Sequence, residues 1–247
     1  MKKIVALMLV LCTAVCLFAC STTPEKSEGT MTYAEYVAAA LDTEVTIETY
    51  VQAKQGWWEK EGVGGVGTFY TQDKEGAYFL YDMPCSKEDY DKLVPGTKIK
   101  VKGYKSEWKG EVEIIDATFE IEKTTYIAPA FDVTSILANQ DELIKHQNQF
   151  VTFKGMTVEK ITDKDGNEAA FLYNWDGSGE EGSDLYFNVS LDGKTYNFTV
   201  ESYLCGKDTD VYKAVKELKV GDKIDLEGFL YWYDSANPHI TAVKAAA

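Results

Sequence analysis

The clearest structural signal in the chain is a strict alternation of apolar and polar residues. In the segment Lys98–Lys102, Ile99 and Val101 alternate with three lysines, and this period of two predicts a strand with one buried face. Similar patterns bounded by turn residues predict further strands at residues 45–51, 68–72, 77–82 and 112–121. The pattern therefore predicts five strands in the first half of the chain.

Short helices are predicted where a capping residue precedes a helical pattern. Thr32 followed by Glu35 is a capping box, and we expect this helix to continue to Leu41. Asn139 followed by Glu142 is a second start signal of the same kind. Each half of the chain therefore begins with a predicted short helix.

The same order of elements occurs twice along the chain. Cys85 is followed by a predicted helix, a Pro-Gly turn and the strand KIKVKGY, and Cys205 by a predicted helix, a Val-Gly turn and KIDLEGF. In each half the helix falls between the third and fourth of five strands, which is the order of the OB-fold, a partly open Greek-key barrel. The third strand of the second half is expected near Tyr196–Val200, after a turn at Asp192-Gly193.

The predicted fold class is mainly β, with two tandem OB-fold-like five-stranded barrels, each preceded by a short helix. The predicted divisions are a signal peptide at residues 1–19, a lipidated tether at 20–30, a first OB-like domain at 31–123, a linker at 124–138 and a second OB-like domain at 139–247.

The N-terminal segment predicts where the protein is located. Lys2 and Lys3 precede an apolar run that ends at Leu17-Phe-Ala-Cys20, which is the anatomy of a secretory signal. The last four of these residues resemble the bacterial lipobox, and this resemblance implies cleavage before Cys20 and a lipid attached to that residue. An ordinary secretory signal with a cysteine by chance is the alternative interpretation.

The chain as a whole resembles bacterial surface lipoproteins with tandem OB-fold domains. The segments that carry this resemblance are residues 17–20, 32–51, 76–82, 93–104 and 146–158. It implies a lipid-anchored protein on the outer face of the bacterial membrane, and it implies no particular reaction.

The charge of the chain bears on its partners. The net charge is −15, and all 25 basic residues are lysine. Arginine is the side chain that most often binds phosphates and guanine edges. A protein that has no arginine and a negative net charge repels polyanions, so it is a poor candidate for binding nucleic acid. The sequence therefore predicts the membrane, through the lipid, and a small ligand, glycan or protein as partners, with nucleic acid as an unlikely one.

No motif in the sequence predicts catalysis, a cofactor or a metal. Gly62–Gly67 spells a dinucleotide-binding motif, but a strand pattern follows it where a helix is required. The acidic loop Asp176–Asp184 could hold calcium or simply be solvated. The two histidines, His146 and His239, have no nucleophile at motif spacing.

Two cysteines remain beyond the signal segment. Cys85 and Cys205 lack the spacing of a zinc site, and either a disulfide between them or two partly buried free thiols is compatible with the sequence.

Aromatic residues concentrate in the loops that bind ligands in OB-folds, which follow strands one and four. The candidate ligand-binding residues are Trp57, Trp58 and Trp108 in the first unit and Tyr231, Trp232 and Tyr233 in the second. Such rings stack on sugars or bases. The alternative is that they fill the barrel ends or the interface between the units.

These observations lead to one leading hypothesis and two alternatives. The first is a non-enzymatic ligand-binding or scaffold lipoprotein on the outer membrane face, which binds an oligosaccharide, a peptide or a surface protein. The second is a nucleic-acid capture module on the same fold. The third is an enzyme with a site between the barrels.

Overall fold

The computed structural model describes residues 26–246, and its strands close into two barrels. The first unit comprises α1 (Tyr33–Ala38), β1 (Glu44–Lys54), β2 (Trp58–Lys60), β3 (Gly64–Gln72), β4 (Ala77–Pro84), α2 (Lys87–Lys92), β5 (Thr97–Trp108) and β6 (Glu111–Thr125). The second comprises β7 (Phe131–Asp132), α3 (Gln140–Leu143), β8 (Phe150–Glu159), β9 (Ile161–Thr162), β10 (Glu168–Ala169), β11 (Leu172–Tyr173), β12 (Leu185–Leu191), β13 (Lys194–Val200), α4 (Asp210–Glu217), β14 (Lys223–Phe229), β15 (Trp232–Tyr233), β16 (Ser235–Ala236) and β17 (His239–Ala245). Two 3-10 turns, Thr134–Ile136 and Ile144–His146, flank α3.

The two barrels have the same pairing order. In the first, β1 pairs with both β3 and β5, β3 pairs with β4, β4 runs parallel to β6, and β5 pairs with β6. In the second, β8, β12, β13, β14 and β17 repeat these pairings, including one parallel pair between β13 and β17. A helix precedes the fourth barrel strand in both units. The predicted tandem OB-like fold is confirmed.

The alternating segment Lys98–Lys102 lies in β5 and has the one buried face that its pattern predicts. Ile99 and Val101 are fully buried in the first barrel. Lys98 forms ion pairs with Glu48 and Glu122 at 2.9 and 2.7 Å. Lys102 pairs with Glu44 at 3.0 Å, and the Lys100 ammonium lies 3.3 Å from Ser27 Oγ. Two of the three lysines on this side of the strand are therefore paired with carboxylates.

The first helix is shorter than the sequence predicts. It ends at Ala38, and Ala39 adopts an extended conformation (φ −63°, ψ 139°), so the predicted continuation to Leu41 is wrong. The side chain of Lys105 explains the early end. Its ammonium is 2.8–3.0 Å from the carbonyl oxygens of Tyr36, Val37 and Ala39, and so it caps the helix from the barrel.

A glycine at the equivalent position in each barrel allows close approach of two strands, β5 to β6 in the first barrel and β14 to β17 in the second. A Cβ on Gly103 would lie 2.8 Å from the carbonyl oxygen of Ile115, and a Cβ on Gly228 would lie 2.2 Å from that of His239. The strand register shifts next to both positions. Only glycine therefore allows this close backbone approach at the bulge of each barrel.

The barrels meet across an aromatic contact. Tyr70 and Phe79 of the first unit pack with Phe229 of the second, and the rings of Tyr70 and Phe229 stack at a centroid distance of 4.5 Å. The Oη atom of Tyr70 is 2.5 Å from Nδ1 of His239, and both residues are buried. The two units are therefore packed through a buried core of their own.

Hydrogen bonds surround this aromatic contact. Gln147 Nε2 donates to the Gly110 carbonyl at 2.8 Å, and the backbone N–H of Trp232 donates to Glu111 Oε2 at 2.9 Å. The backbone N–H of Phe150 donates to the Gln72 side chain. These bonds fix the rotation of one barrel against the other.

Across residues 26–246, no helix has both the length and the apolar character that crossing a membrane requires.

We predict that Gly103→Ala and Gly228→Ala each lower the free energy of unfolding by about 2 kcal/mol or more, because the added methyl group must displace the backbone of a neighbouring strand. Urea unfolding followed by circular dichroism measures this change. Gly206→Ala is the matched control, since the nearest atom to its Cβ would be 3.6 Å away. Equal stability of all three variants would contradict the steric argument.

We predict that Tyr70→Phe destabilises the protein by about 1–3 kcal/mol, because it leaves the buried His239 ring nitrogen without its partner. The exposed residue Tyr104 provides the control variant Tyr104→Phe, which we expect to unfold as the wild type does. Thermal melts of the two variants test this, and a Tyr70→Phe melting curve that overlays the wild type would disprove it.

Candidate functional site

An open groove lies where the two barrels meet, and aromatic side chains line it. Its volume is about 570 Å³, and its lining residues are Gln55, Gly56, Trp57, Trp58, Tyr81, Asp82 and Tyr203. Trp58, Tyr81 and Tyr203 expose 48%, 44% and 74% of their surface. The groove includes the loop after the first barrel strand and the end of the third, which belong to the surface that OB-folds use for ligands.

Two adjacent tryptophans contribute to the groove in different ways. The Trp57 ring packs so closely over Gly65 that a Cβ there would lie 2.2 Å from it, and its Nε1 donates to the Cys85 carbonyl at 3.0 Å. Trp58 opens β2 and pairs with Val66, with its ring half exposed. Trp57 therefore fixes the loop, and Trp58 presents an aromatic face to solvent.

The second barrel supplies Tyr203 through a tight turn. The carboxylate of Glu201 accepts hydrogen bonds from the backbone N–H groups of Tyr203 and Leu204 at 3.2 and 2.9 Å. The Tyr203 carbonyl in turn accepts from the backbone N–H of Gly56 at 3.1 Å. The groove is therefore formed by both units, and a direct backbone hydrogen bond joins them at its edge.

The groove has little free positive charge. Lys60 pairs with Asp82 at 2.9 Å, and its ammonium is 5.7 Å from the centre of the Tyr81 ring. Burial, with a smaller contribution from Asp82, raises the pKa of Glu113 to about 7. Burial and then the nearby Asp184 raise the pKa of Glu201 to about 7. The region is thus aromatic and weakly acidic, with one paired lysine.

Trp108 lies at a second place on the surface. Its ring contacts Tyr233 of the other barrel in an edge-to-face arrangement with centroids 5.2 Å apart, and both rings are partly exposed. This pair joins the loops after the fourth strand of each barrel. Trp108 is not among the residues that line the groove with Trp57 and Trp58.

The remaining two aromatic candidates are packed where the two barrels meet, Tyr231 against the interface cluster and Trp232 in the core of the second barrel. Trp232 is 7% exposed, and its ring lies against Gly110 of the first unit. Tyr231 is half-buried and stacks on His239 at 4.3 Å. The six aromatic residues singled out from the sequence therefore occupy three separate places in the fold.

The groove contains two aromatic residues that the sequence did not predict, Tyr81 and Tyr203. Tyr81 lies on the third barrel strand, and its position on an OB ligand face was a usable signal. Tyr203 lies in an irregular segment between β13 and α4, and nothing in the local sequence distinguishes it.

No protein-family model matches the chain, and no curated protein matches it either. Solved structures do match at low identity. A murine DNA-binding protein bound to double-stranded DNA has a TM-score of 0.37 and 15% identity, over 82% of this chain and 96% of that one. The Ifi202 HINa domain in complex with double-stranded DNA has a TM-score of 0.35 and 10% identity, over 83% and 100%. A replication protein A heterotrimer bound to single-stranded DNA has a TM-score of 0.32 and 13% identity, over 81% and 49%.

The descriptions of these matched structures disagree with the interpretation of the chain as a bacterial surface lipoprotein. They name proteins in complex with DNA, whereas the sequence predicts a lipid-anchored scaffold on the outer membrane face with nucleic acid as an unlikely partner. The predicted signal peptide and Cys20 lie outside the described residues. At these identities the likeness is one of fold alone.

We predict that the folded state loses stability as the pH rises from about 4.5 to 7, through the raised pKa values of Glu113 and Glu201. These groups bind protons in the folded state that the unfolded state has already released. The loss is the difference between the free energies of unfolding at pH 5 and pH 7.5. Glu113→Gln and Glu201→Gln should each make this difference about 1–2 kcal/mol smaller than in the wild type.

Urea unfolding at both pH values measures the effect. Glu107→Gln, at an exposed position at the end of β5, is the control. A pH dependence that is identical in wild type and in both variants would contradict the assignment to these two carboxyl groups.

Proposed function

We propose that the chain is a non-enzymatic module that binds single-stranded nucleic acid, with unstacked bases held on the aromatic side chains of the groove. The observation that carries the proposal is the exposure of three rings, Trp58, Tyr81 and Tyr203, around one groove on the ligand face of an OB barrel. Every base has a π-face, so such rings bind strands with little sequence preference.

The charge of the protein determines what kind of binding this is. With a net charge of −15 and no arginine, the chain offers few phosphate contacts. Lys60, the basic residue beside Tyr81, is paired with Asp82. Stacking therefore has to supply most of the affinity, and the dependence of binding on salt is expected to be weak.

The same reasoning favours single strands over duplexes. A duplex keeps its bases stacked on one another and carries about twice the phosphate charge per unit length of a single strand, so an acidic surface repels it more strongly. A single strand can place a base on Trp58 or Tyr203. The double-stranded DNA in the matched structures is a property of those proteins, and the proposal for this chain rests on its own aromatic groove.

The candidate nucleophiles and bases of the chain support binding without turnover. Burial lowers the pKa of His239 to about 3, and His146 stacks on Phe131. The two cysteines within residues 26–246 are free and buried, and burial raises the pKa of Cys85 to about 11 and that of Cys205 to about 12. Thiols of this kind are poor nucleophiles at neutral pH.

We predict that a fluorescein-labelled single-stranded 12-mer binds the protein, and that Trp58→Ala and Tyr203→Ala each weaken binding about 5- to 150-fold, as expected for the loss of one stacked base. Fluorescence anisotropy at 50 and 200 mM salt is the measurement. Because at most one lysine contacts phosphate, Kd should rise only about threefold between these salt concentrations.

Trp175→Ala is the matched control, since Trp175 is 73% exposed but does not line the groove. A hairpin duplex of the same sequence should bind more weakly than the single strand. The proposal fails if the 12-mer does not bind, if both groove variants bind it as the wild type does, or if the affinity drops tenfold or more with salt.

A further inference from the structure

The first barrel has a strand edge that no other strand covers. β6 pairs with β5 along its length, from Glu111 to Thr125, but its other edge pairs with β4 only at Glu113 and Ile114. Beyond Ile114, no strand within residues 26–246 pairs with this edge. In an antiparallel strand, every second residue turns its backbone N–H and C=O away from the partner strand. The edge of β6 after Ile114 therefore offers a row of backbone groups to a further strand.

A cavity of about 670 Å³ lies beside this edge. Ala117, Phe119 and Ile121 line it from β6, and Val63 and Pro84 line it from the turn before β3 and the end of β4. Ile121 and Val63 expose 42% and 52% of their surface. Apolar side chains thus line the gap from both sides, and the cavity shares no lining residue with the aromatic groove.

The second barrel covers the equivalent position with a helix. There the parallel pair is β13 with β17, in register only at Thr199 and His239. α4 packs against β17 and buries Val211, Tyr212 and Val215. The second barrel therefore supplies its own apolar segment at this position.

The corresponding helix of the first barrel does not cover the gap. α2 has 6 residues where α4 has 8, and none of the residues of α2 is buried. The ring of Tyr90 lies 6.0 Å from that of Phe69 in β3, and its hydroxyl donates to the Gln55 carbonyl at 2.6 Å. α2 is thus held against β3 and the loop after β1, and the apolar side chains of β6 stay exposed.

The charges along the open edge favour a basic partner. Residues 115–122 of β6 contain no lysine, and Asp116 and Glu120 are exposed there. Lys100 lies opposite Glu120 on β5, but its ammonium is 3.3 Å from Ser27 Oγ and forms no ion pair within residues 26–246. Asp89 is the one charged residue among those that line the cavity. A basic segment is therefore attracted to this edge, whereas an acidic one is repelled.

We propose that β6 binds an extended basic peptide of a partner protein, which adds as a further strand along residues 115–122 and fills the gap between β6 and β4. Successive side chains of a strand point to opposite faces. Apolar side chains at alternate positions of the peptide then pack on Phe119 and Ile121, and lysines between them face Asp116 and Glu120. Backbone hydrogen bonds supply affinity in this mode of binding, and the side-chain contacts supply sequence preference. The surface is separate from the aromatic groove and does not depend on the function proposed for it.

A fluorescein-labelled peptide of seven residues, in which four lysines alternate with three valines, tests the proposal on the full chain. Fluorescence anisotropy at 150 mM salt should show saturable binding. One control peptide has the same composition with its lysines and valines in separate blocks, so it keeps the charge and loses the alternation. A second is N-methylated at every residue and cannot donate backbone hydrogen bonds. Each control should bind at least tenfold more weakly. Equal binding of the three peptides, or no binding of the alternating one, would overturn the proposal.

Ile121→Glu separates this site from a general attraction between a basic peptide and an acidic protein. The added carboxylate strengthens a general attraction, but it removes the apolar contact of the proposed site, so we expect at least tenfold weaker binding. Ile127→Glu adds the same charge at a position that is 60% exposed and does not line the cavity, and it should bind as the wild type does or slightly better. Unchanged or tighter binding in Ile121→Glu overturns the assignment.

Val63→Glu is an independent test, because Val63 lies in a turn on the far side of the cavity and does not pair with β6. It should also weaken binding at least tenfold, and it decides the outcome if Ile121→Glu does not fold. If Val63→Glu folds and binds the peptide as the wild type does, the peptide does not fill the gap and the proposal is wrong.

Two further measurements distinguish other occupants and other sites. If sedimentation shows that the wild type self-associates and that Ile121→Glu is monomeric, the edge is occupied by a second copy of the chain and the proposal is overturned. Trp58→Ala should leave peptide binding unchanged. If Trp58→Ala abolishes it and Ile121→Glu does not, the peptide lies in the groove and the edge site is disproved. Failure of the 12-mer to bind, with the peptide still bound, disproves only the groove.

Discussion

The buried contact of Tyr70 with Phe229 and His239 is the centre of the interface that holds the two barrels together. A histidine buried in this way is neutral, because burial lowers its pKa to about 3. The hydrogen bond to Tyr70 then supplies the partner that the neutral ring needs. The aromatic groove takes residues from both units, so its shape depends on how the two barrels are docked.

The fold was predictable because its signals are local and are repeated. The alternation in Lys98–Lys102, the capping box at Thr32 and Glu35, and the turn before each KIKVKG-like strand each depend on a few neighbouring residues. Two copies of the same order of elements then fixed the alignment of the second unit, including its third strand at Lys194–Val200. When independent local signals agree in this way, the order of strands in a β fold can be predicted from the sequence.

The site was only partly predictable because it depends on contacts between distant positions. Trp57 and Trp58 were found, since they lie in a loop whose place in the OB-fold is known. Tyr203 was not, because it is brought to the groove by a hydrogen bond to Gly56, which is 147 positions away in the chain. Trp108 was grouped with them, yet the packing of the barrels pairs it with Tyr233 instead.

The hydrogen bond between Gly56 and Tyr203 has a consequence for how the molecule unfolds. A ligand seated between Trp58 and Tyr203 touches both barrels at once, so it binds only the docked arrangement and stabilises it by mass action. Separation of the barrels and release of the ligand then become a single equilibrium. Ligand would therefore protect the connecting residues 126–130 from proteases, although it does not contact them.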